Sequence, residues 1–192
     1  MTGAWIFICG PSGAGKDSVI AWAQHALSER KNIVFTRRLV TRAQHAGSDD
    51  LPINKPDFLD LLQTGGLRWH WEAHGFHYGI AQRYAAEVQA GRLVVVNGSR
   101  AHVDRLEPSA ELRIVQITSS PPTLAARLAQ RGRDAPTAVA ERLARNPRFI
   151  GLRADWVIAN DVELPAAGQR LVDYLLSQET ATDSLAFSRM AT

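Results

Sequence analysis

The chain has 192 residues, 45% of them hydrophobic and 21% charged, and a formal net charge of +3. This length fits a single domain with a full hydrophobic core, and no apolar run approaches the roughly 20 residues that would cross a bilayer. The basic residues, mostly arginines, are interleaved with acidic ones, which favours anionic small molecules over nucleic acid as ligands. The single cysteine, Cys9, excludes an internal disulfide and a cysteine-based zinc site.

The first predicted element is an apolar strand at residues 4–9, which starts so close to Met1 that we expect no signal peptide and a cytoplasmic protein. A glycine-rich turn and a helix start follow it, with the sequence Gly10-Pro11-Ser12-Gly13-Ala14-Gly15-Lys16-Asp17-Ser18. This strand–turn–helix context is typical of a phosphate-binding loop, whose backbone N–H groups hold the phosphates of a nucleotide triphosphate. Lys16 would neutralise the β and γ phosphate oxygens.

Asp17 departs from the usual motif, which has a serine or threonine directly after the lysine as a magnesium ligand. Its carboxylate is a hard oxygen ligand that suits Mg²⁺, and the hydroxyl of Ser18 comes one residue later. A second interpretation is that Asp17 only places negative charge in the first turn of the helix, where such charge is favourable. The sequence leaves both interpretations open.

After a helix predicted at residues 19–28 and a short strand at 33–35, basic residues cluster in a loop. This loop could hold an anion or be a solvated, arginine-rich loop; it contains Thr36, Arg37, Arg38, Thr41 and Arg42. Residues 43–52 are polar and are predicted to form a mobile loop. Asn54 as N-cap and Pro56 in the first turn predict the next helix, which closes at Gly65 and Gly66.

Residues 67–80 are rich in aromatic residues and histidines, and their alternation predicts two strands around Gly75. Glu72 lies among the aromatics, where its carboxylate either accepts hydrogen bonds from a substrate or faces water. His70, His74 and His77 invite a zinc hypothesis, which the sequence disfavours because alternation would split them between two faces. A small antiparallel lobe is the simplest interpretation of this stretch.

The second half of the chain alternates apolar strands with helices, as in a doubly wound sheet. Helices are predicted at 82–90, 121–130 and 164–176, strands at 93–96, 112–117 and 155–159, and a loose tail at 178–192. Arg100 follows a strand at the sheet edge where such folds bind ligands, so it is either a phosphate contact or a surface arginine. Arg131, Arg133 and Arg142 flank a glycine hinge, which predicts a lid that neutralises charge during phosphoryl transfer, or exposed helical arginines without a catalytic role.

This order of motifs resembles the guanylate-kinase group over residues 4–176. Within that group, three segments are most similar to the ribose 1,5-bisphosphate phosphokinases of phosphonate utilisation: the phosphate loop, the turn Asn97-Gly98-Ser99-Arg100 and residues 128–133. The resemblance implies an α/β, three-layer P-loop fold of the nucleoside-monophosphate-kinase type with a central parallel sheet. We expect one domain at 1–177, with its core at 1–36 and 92–177, an acceptor-binding lobe at 37–91 and an arginine-bearing lid at 130–140.

The resemblance also implies a reaction, in which ATP phosphorylates ribose 1,5-bisphosphate to 5-phosphoribosyl 1-diphosphate. ATP would bind residues 10–18, with Mg²⁺ near Asp17 and Ser18. Charge on the transferred group would be neutralised by Lys16, Arg131, Arg133 and Arg142. The phosphorylated sugar would be held by Arg37, Arg38, Arg42, Glu72, Tyr78 and Arg100. We expect no nucleic-acid or membrane partner, and a monomer or homodimer.

Two other functions stay open at this point. A nucleoside-monophosphate kinase, chiefly one for GMP, would share the fold, but the Thr-Thr-Arg signature of guanylate kinases is reduced to Val40-Thr41-Arg42 and the Pro-Arg-x-Gly-Glu run after it is absent. A catalytically silent guanylate-kinase-like binding module would share the fold too. Such modules tend to lose the phosphate-loop lysine, which is present here as Lys16.

Overall fold

The computed structural model describes residues 3–43, 49–73, 75–130 and 151–190, with the side chains of residue 130 and of residues 180–190 excepted. In chain order the described elements are β1 (Ala4–Cys9), α1 (Lys16–Ala26), β2 (Ile33–Phe35), β3 (Leu39–Val40), β4 (Leu51–Pro52), α2 (Lys55–Gln63), β5 (Leu67–Ala73), β6 (Phe76–Ala81), α3 (Tyr84–Gln89), β7 (Leu93–Asn97), α4 (Arg100–Val103), β8 (Leu112–Thr118), α5 (Pro121–Gln130), β9 (Trp156–Ala159) and α6 (Leu164–Met190).

In the described part of the chain, five parallel strands form the central sheet, in the order β2-β7-β1-β8-β9. Each of them coincides with a predicted apolar run to within a residue or two. β1 lies in the middle, and its residues from Trp5 to Cys9 are all buried. Continuous burial is expected of a strand that is covered on both faces, so a run of apolar residues without alternation specifies this position.

Alternation along β1 sends its side chains into two hydrophobic cores. Ile6 and Ile8 pack with residues of α1 and α6 on one face of the sheet. Trp5, Phe7 and Cys9 face the other way and pack with residues of β5, β6 and α3. The central sheet is therefore the middle layer of a three-layer α/β fold, as predicted.

The second sheet is small and has the order β4-β3-β6-β5. Its β5–β6 hairpin turns at Gly75, whose φ is 74°, and this confirms the two strands predicted around that residue. β3 and β4 fall outside the sequence prediction because two-residue strands are too short to show a hydrophobic period. The prediction of a loop at 43–52 is wrong at the end of that range, where Pro52 pairs with Val40. Residues 44–48 lie outside the described ranges. Proline is tolerated here because β4 is an edge strand.

The last helix, α6, continues to Met190, past the end predicted at Leu176, and includes most of the tail predicted to be loose. No glycine or proline interrupts the sequence after Gly168, so nothing in the chain ends the helix earlier. An ion pair of 3.8 Å joins Arg30 Nη1 to Glu179 Oε2 and links this extension to the loop after α1. No helix in the described ranges combines the length and the apolar character needed to span a bilayer.

Helices α1 and α6 pack against each other where Gly168 faces the ring of Trp22. A Cβ at Gly168 would lie 2.4 Å from Cδ2 of that ring, far inside normal contact distance. The glycine is therefore required by helix packing, because its missing side chain lets the indole approach the helix backbone.

We expect Gly168→Ala to lower the free energy of unfolding by about 1–2 kcal/mol, since overlap with Trp22 outweighs the better helix propensity of alanine. Urea denaturation followed by circular dichroism measures this difference. Gln169→Ala, at an exposed neighbour on the same helix, is the matched control and should stay within about 0.5 kcal/mol of the parent. Equal stabilities for Gly168→Ala and the parent would contradict the packing argument.

A half-buried histidine, His102 of α4, lies among aromatic rings between the two sheets. Its ring stacks on Trp71 with centroids 4.9 Å apart and contacts the edge of Trp69 at 6.0 Å. Its Nε2 is buried and has no hydrogen-bond partner among the described residues. Burial, together with smaller effects of the nearby His70 and Arg105, lowers the pKa of His102 to about 4. The ring is therefore neutral at pH 7.

Stability should depend on pH through this group. Because the pKa of His102 in the folded chain lies below the ordinary value of 6.5, the unfolded chain binds this proton more tightly, and stability falls as the pH drops from about 6.5 towards 4. His102→Phe keeps an aromatic ring and removes the titration. We expect the melting temperature of this variant to fall less between pH 7 and pH 4.5 than that of the parent; parallel melting curves against pH would contradict the assignment.

Candidate active site

The glycine-rich turn at residues 10–15 connects the carboxyl end of β1 to the first residue of α1. Gly13 and Gly15 have φ values of 90° and 76°, in the left-handed region that favours glycine. A Cβ at Gly10 would lie 2.3 Å from the carbonyl oxygen of Ile117, so a side chain is excluded there too. Among the described residues, no side chain caps the N-terminus of α1. The amide groups at this helix start are thus available to an anion, which is the geometry of a phosphate site.

Lys16, the first residue of α1, is held by two oxygens beside this turn. Its Nζ lies 2.8 Å from Oδ1 of Asp17 and also donates to Oδ1 of Asn97. The Lys16 side chain is only 15% exposed, whereas that of Asp17 is 64% exposed. Burial lowers the pKa of Lys16, and the adjacent carboxylate partly offsets this effect. The Lys16 ammonium in turn holds the pKa of Asp17 well below its usual range.

Asn97, the last residue of β7, completes this group. Its Nδ2 donates to Oδ1 of Asp17 at 2.8 Å, and its backbone carbonyl accepts a hydrogen bond of 3.2 Å from Nη1 of Arg38. Sequence reasoning identified Asn97 only as a turn residue. The signal that would have found it is its place at the end of a strand that pairs with β1, which brings position 97 opposite Ile8 and next to the phosphate loop.

Two of the predicted acceptor arginines meet on one buried carboxylate. Asp50, which is 7% exposed, lies 2.8 Å from Nε of Arg38 and 3.4 Å from Nη2 of Arg42. Sequence reasoning missed Asp50 because it lies in a polar stretch. Arg37 points elsewhere: its Nε contacts a carboxylate oxygen of the exposed Asp49 at 3.0 Å, and its side chain is 44% exposed. Arg38 and Arg42 therefore form an arginine pair, and Arg37 stands outside it.

Tyr78 and Glu72 lie on different faces of the β5–β6 hairpin. The Tyr78 ring is stacked on Trp71 and lies under the guanidinium of Arg38, 5.5 Å from its carbon. Glu72 follows Trp71 along β5, so alternation turns it to the opposite face, where it is exposed and pairs with His77. The structure brings Tyr78 to the arginine pair and does not bring Glu72 there. Glu72 instead lines a cleft of about 770 Å³ between α2, the edge of β5 and α4.

Arg100 begins α4, directly after the turn that follows β7. Burial lowers its pKa, and the thiol of Cys9 at the end of β1 is close enough to act on it electrostatically. Burial also raises the pKa of Cys9 to about 11, so this thiol stays protonated at neutral pH. Arg100 is thus placed at the carboxyl ends of β1 and β7, on the same edge of the sheet as the phosphate loop.

The floor of the phosphate loop rests on residues that follow β8 and β9. Nδ2 of the buried Asn160 donates to the carbonyl of Ala14 at 2.8 Å, and Ser119 Oγ donates to the carbonyl of Asn160 at 2.9 Å. Nη1 of Arg127 donates to that same Ser119 oxygen at 3.2 Å and would lie 3.6 Å from a Cβ at Gly15. Arg127 therefore lies against the phosphate loop. Arg127 is not among the site residues predicted from the sequence.

The remaining predicted residues are not tested by the structure. Arg131 and Arg133 of the expected lid, and Arg142 beyond it, lie outside the described residues, as does His74. In the ranges that the structure does describe, no three His, Cys, Asp or Glu side chains are arranged to hold a metal ion. His70 and His77 line the same cleft as Glu72, away from the phosphate loop.

Comparisons with solved structures identify the fold. The chain superposes on a guanylate kinase from Anaplasma phagocytophilum with a TM-score of 0.66 at 18% identity, covering 93% of this chain and 87% of that one. A protein of Thermus thermophilus called TT1252 gives a TM-score of 0.52 at 16% identity, over 93% of this chain and 98% of the other. Identities this low establish the guanylate-kinase-like α/β fold and nothing about substrates.

Comparisons of sequence are more specific, although no family model matches the chain. A ribose 1,5-bisphosphate phosphokinase of Rhizobium etli is 35% identical over 178 residues, which are 90% of this chain and 89% of that protein. The protein of the same name from Acidiphilium cryptum is 38% identical over 175 residues, 91% of this chain and 93% of the relative. A bifunctional ribose 1,5-bisphosphokinase–thymidine phosphorylase of Azorhizobium caulinodans is 38% identical over 193 residues, 99% of this chain and 27% of the larger protein. Since identities above 30% extend over nearly the whole length of single-function relatives, the chain belongs to the ribose 1,5-bisphosphate phosphokinase family.

Proposed function

We propose that this enzyme transfers the γ-phosphoryl group of ATP to the 1-phosphate of ribose 1,5-bisphosphate, which gives 5-phosphoribosyl 1-diphosphate and ADP in phosphonate use. The observation that carries the proposal is the proximity of two anion sites: the phosphate loop with Lys16, and the arginine pair Arg38–Arg42. Asn97 links them directly, since its side chain contacts Lys16 and its carbonyl accepts from Arg38. One site suits the polyphosphate of the donor, and the other suits a phosphate of the acceptor.

The reaction needs little covalent help from the protein. An oxygen of the 1-phosphate forms a bond to the γ-phosphorus, and the bond from that phosphorus to the β–γ bridging oxygen breaks, so that ADP leaves with the electron pair. A phosphate monoester is largely ionised at neutral pH, because its second pKa is about 6, so no strong general base is required. Positioning of two anions and neutralisation of their repulsion are therefore the main tasks of the enzyme.

On the donor side, the backbone amides before α1 would hold the β and γ phosphates, and Lys16 would neutralise their charge. Burial desolvates the Lys16 ammonium and thereby lowers its pKa, so a second anionic partner would stabilise the charged form further. Arg127 lies against the same loop and can contact a phosphate there. We also assign a role in charge neutralisation to Arg131, Arg133 and Arg142, from the sequence alone.

The donor set of this site fits Mg²⁺ as a companion of ATP. The Asp17 carboxylate and the Ser18 hydroxyl are hard oxygen ligands, and both residues are exposed at the start of α1. Magnesium bound there would supply charge neutralisation at the β and γ phosphate oxygens. We therefore assign Asp17 and Ser18 as the residues that hold the metal.

On the acceptor side, the rigid part of the site is the arginine pair. Asp50 forms ion pairs with both guanidinium groups, and the Arg38 guanidinium also packs over the face of the Tyr78 ring. The pair retains net positive charge beside one carboxylate, which suits a doubly charged phosphate. Arg100 can contact the same substrate from the end of β7. Arg37 and Glu72 would need to move to take part, since Arg37 is held by Asp49 and Glu72 faces the other side of the hairpin.

The acceptor is identified by offering ribose 1,5-bisphosphate, GMP and other nucleoside monophosphates in parallel with ATP and Mg²⁺. We expect phosphorus NMR to show a new diphosphate at the anomeric carbon of the sugar and no comparable turnover of nucleotides. Faster phosphorylation of GMP would assign the chain to nucleoside-monophosphate kinases instead. If ATP neither binds nor reacts, a silent binding module would be the better description.

Lys16→Ala is expected to reduce kcat by about 10²–10³-fold or more, because the variant loses a preorganised positive charge at the transferred phosphate. The coupled release of ADP measures the rate, and circular dichroism shows whether the fold is intact. Lys31→Ala removes an exposed lysine outside the site and serves as the matched control. A folded and fully active Lys16→Ala enzyme would refute the assignment of the donor site.

Asp50→Asn should raise KM for the phosphorylated sugar by about tenfold or more, since it breaks charge-assisted bonds to both members of the arginine pair while keeping the side-chain shape. KM for ATP should change little. Asp49→Asn removes an exposed ion pair to Arg37 and should change KM less than about threefold. Equal effects of the two substitutions would show that Asp50 does not position the acceptor site.

A further inference from the structure

The phosphate loop and the end of β7 both depart from the usual magnesium-binding pattern. In P-loop enzymes the metal is commonly held by a serine or threonine directly after the lysine and by an aspartate on a neighbouring strand. This chain has Asp17 at the first of these positions. At the end of β7, which pairs in parallel with β1 right beside the loop, it has Asn97. This chain therefore has a carboxylate where the usual pattern has a neutral hydroxyl. At the end of β7 it has a neutral amide oxygen where the usual pattern has a carboxylate.

These two side chains are in direct contact. Asn97 Nδ2 donates to Asp17 Oδ1 at 2.8 Å, although 80 residues separate the two positions. The Lys16 ammonium bonds to that same Asp17 oxygen and to Oδ1 of Asn97. The structure thus contains a cation held between one carboxylate oxygen and one amide oxygen, and both are oxygens of the type that Mg²⁺ prefers.

The simpler view, that Asp17 only complements the helix dipole, does not account for this contact. A negative charge in the first turn is favourable without any partner from another strand. Asn97, by contrast, is held in one orientation by Lys16 and Asp17 through its side chain and by Arg38 through its backbone. Asp17 also keeps 64% of its side chain exposed, so an ion from solvent can reach it.

We propose, building on the proposed function, that Asp17 and Asn97 have exchanged the two ligand types, with the Asp17 carboxylate and the Asn97 amide oxygen together holding the Mg²⁺ that accompanies the nucleotide. The ligand set keeps a single negative charge, as in the usual arrangement. Lys16 occupies the two oxygens in the chain without nucleotide, and binding of a metal–nucleotide complex transfers its ammonium to the phosphates. Asn97 thereby links loading of the donor site to Arg38 on the acceptor side.

The exchange is tested by reversing it. Binding of Mn²⁺ in the presence of ADP is measured by electron paramagnetic resonance for the parent, Asp17→Ser, Asn97→Asp and the double variant. We expect Asp17→Ser to weaken Mn²⁺ binding at least tenfold, and the double variant, which has a carboxylate at 97 and a hydroxyl at 17, to recover most of that loss. The double-mutant cycle then shows strong coupling between the two positions. A double variant no better than Asp17→Ser would overturn the proposal.

Two controls separate metal binding from folding and from turnover. The affinity for a fluorescent ADP analogue, measured in EDTA, should stay within a few-fold of the parent in every variant, which shows that the loop is folded. If Asp17→Ser melts at low temperature, Asp17→Asn replaces it in the test. Lys31→Ala, outside the site, should leave Mn²⁺ affinity unchanged, whereas Asn97→Ala should weaken it. Unchanged Mn²⁺ affinity in Asn97→Ala would overturn the exchange. No sugar phosphate is present, so failure of the ribose assay and failure of this test are independent results.

Discussion

The parallel pairing of β1 between β7 and β8 is the constraint on which the site depends. Parallel neighbours end at the same edge of a sheet, so the turns that follow these three strands meet at one place. The phosphate loop follows β1, Asn97 ends β7, and Ser119 follows β8. Asn160, which follows β9, donates a hydrogen bond to the carbonyl of Ala14 in the phosphate loop. Residues far apart in the chain therefore meet at one edge of the sheet without any long-range signal in the sequence.

Charge balance is the second organising principle of this edge. Three cations at this edge have a carboxylate beside them: Asp17 lies beside Lys16, and Asp50 lies beside Arg38 and Arg42. These pairs compensate desolvation in the protein without substrate. They also leave the cations preorganised, so that an anionic substrate meets fixed donors and does not have to order them. The acidic partners are thus as much a part of the site as the basic residues.

Sequence reasoning identified the basic residues of this arrangement and Asp17, but it missed Asp50 and the role of Asn97. Lys16 belongs to a motif whose members are adjacent in the chain, and Arg38 and Arg42 stand out by residue type. Asp50 and Asn97 carry no such signal, because a polar loop and a strand end contain these residues for many reasons. Glu72 differs from these residues: the family resemblance names it together with Tyr78, and strand alternation places the two on opposite faces of the hairpin.

The sequence by itself determined the local structures: the apolar run of β1, the glycines whose backbone conformations allow the loop, the cap of α2 at Asn54, and the β5–β6 hairpin. These features depend on interactions between near neighbours, so their signals survive in the linear order of residues. Only the tertiary structure decided which strand lies beside β1, that Asp50 joins two arginines, and that Asn97 touches Asp17. Such contacts depend on how distant segments pack, and the free energy that selects them is spread over the whole core instead of any one stretch of chain.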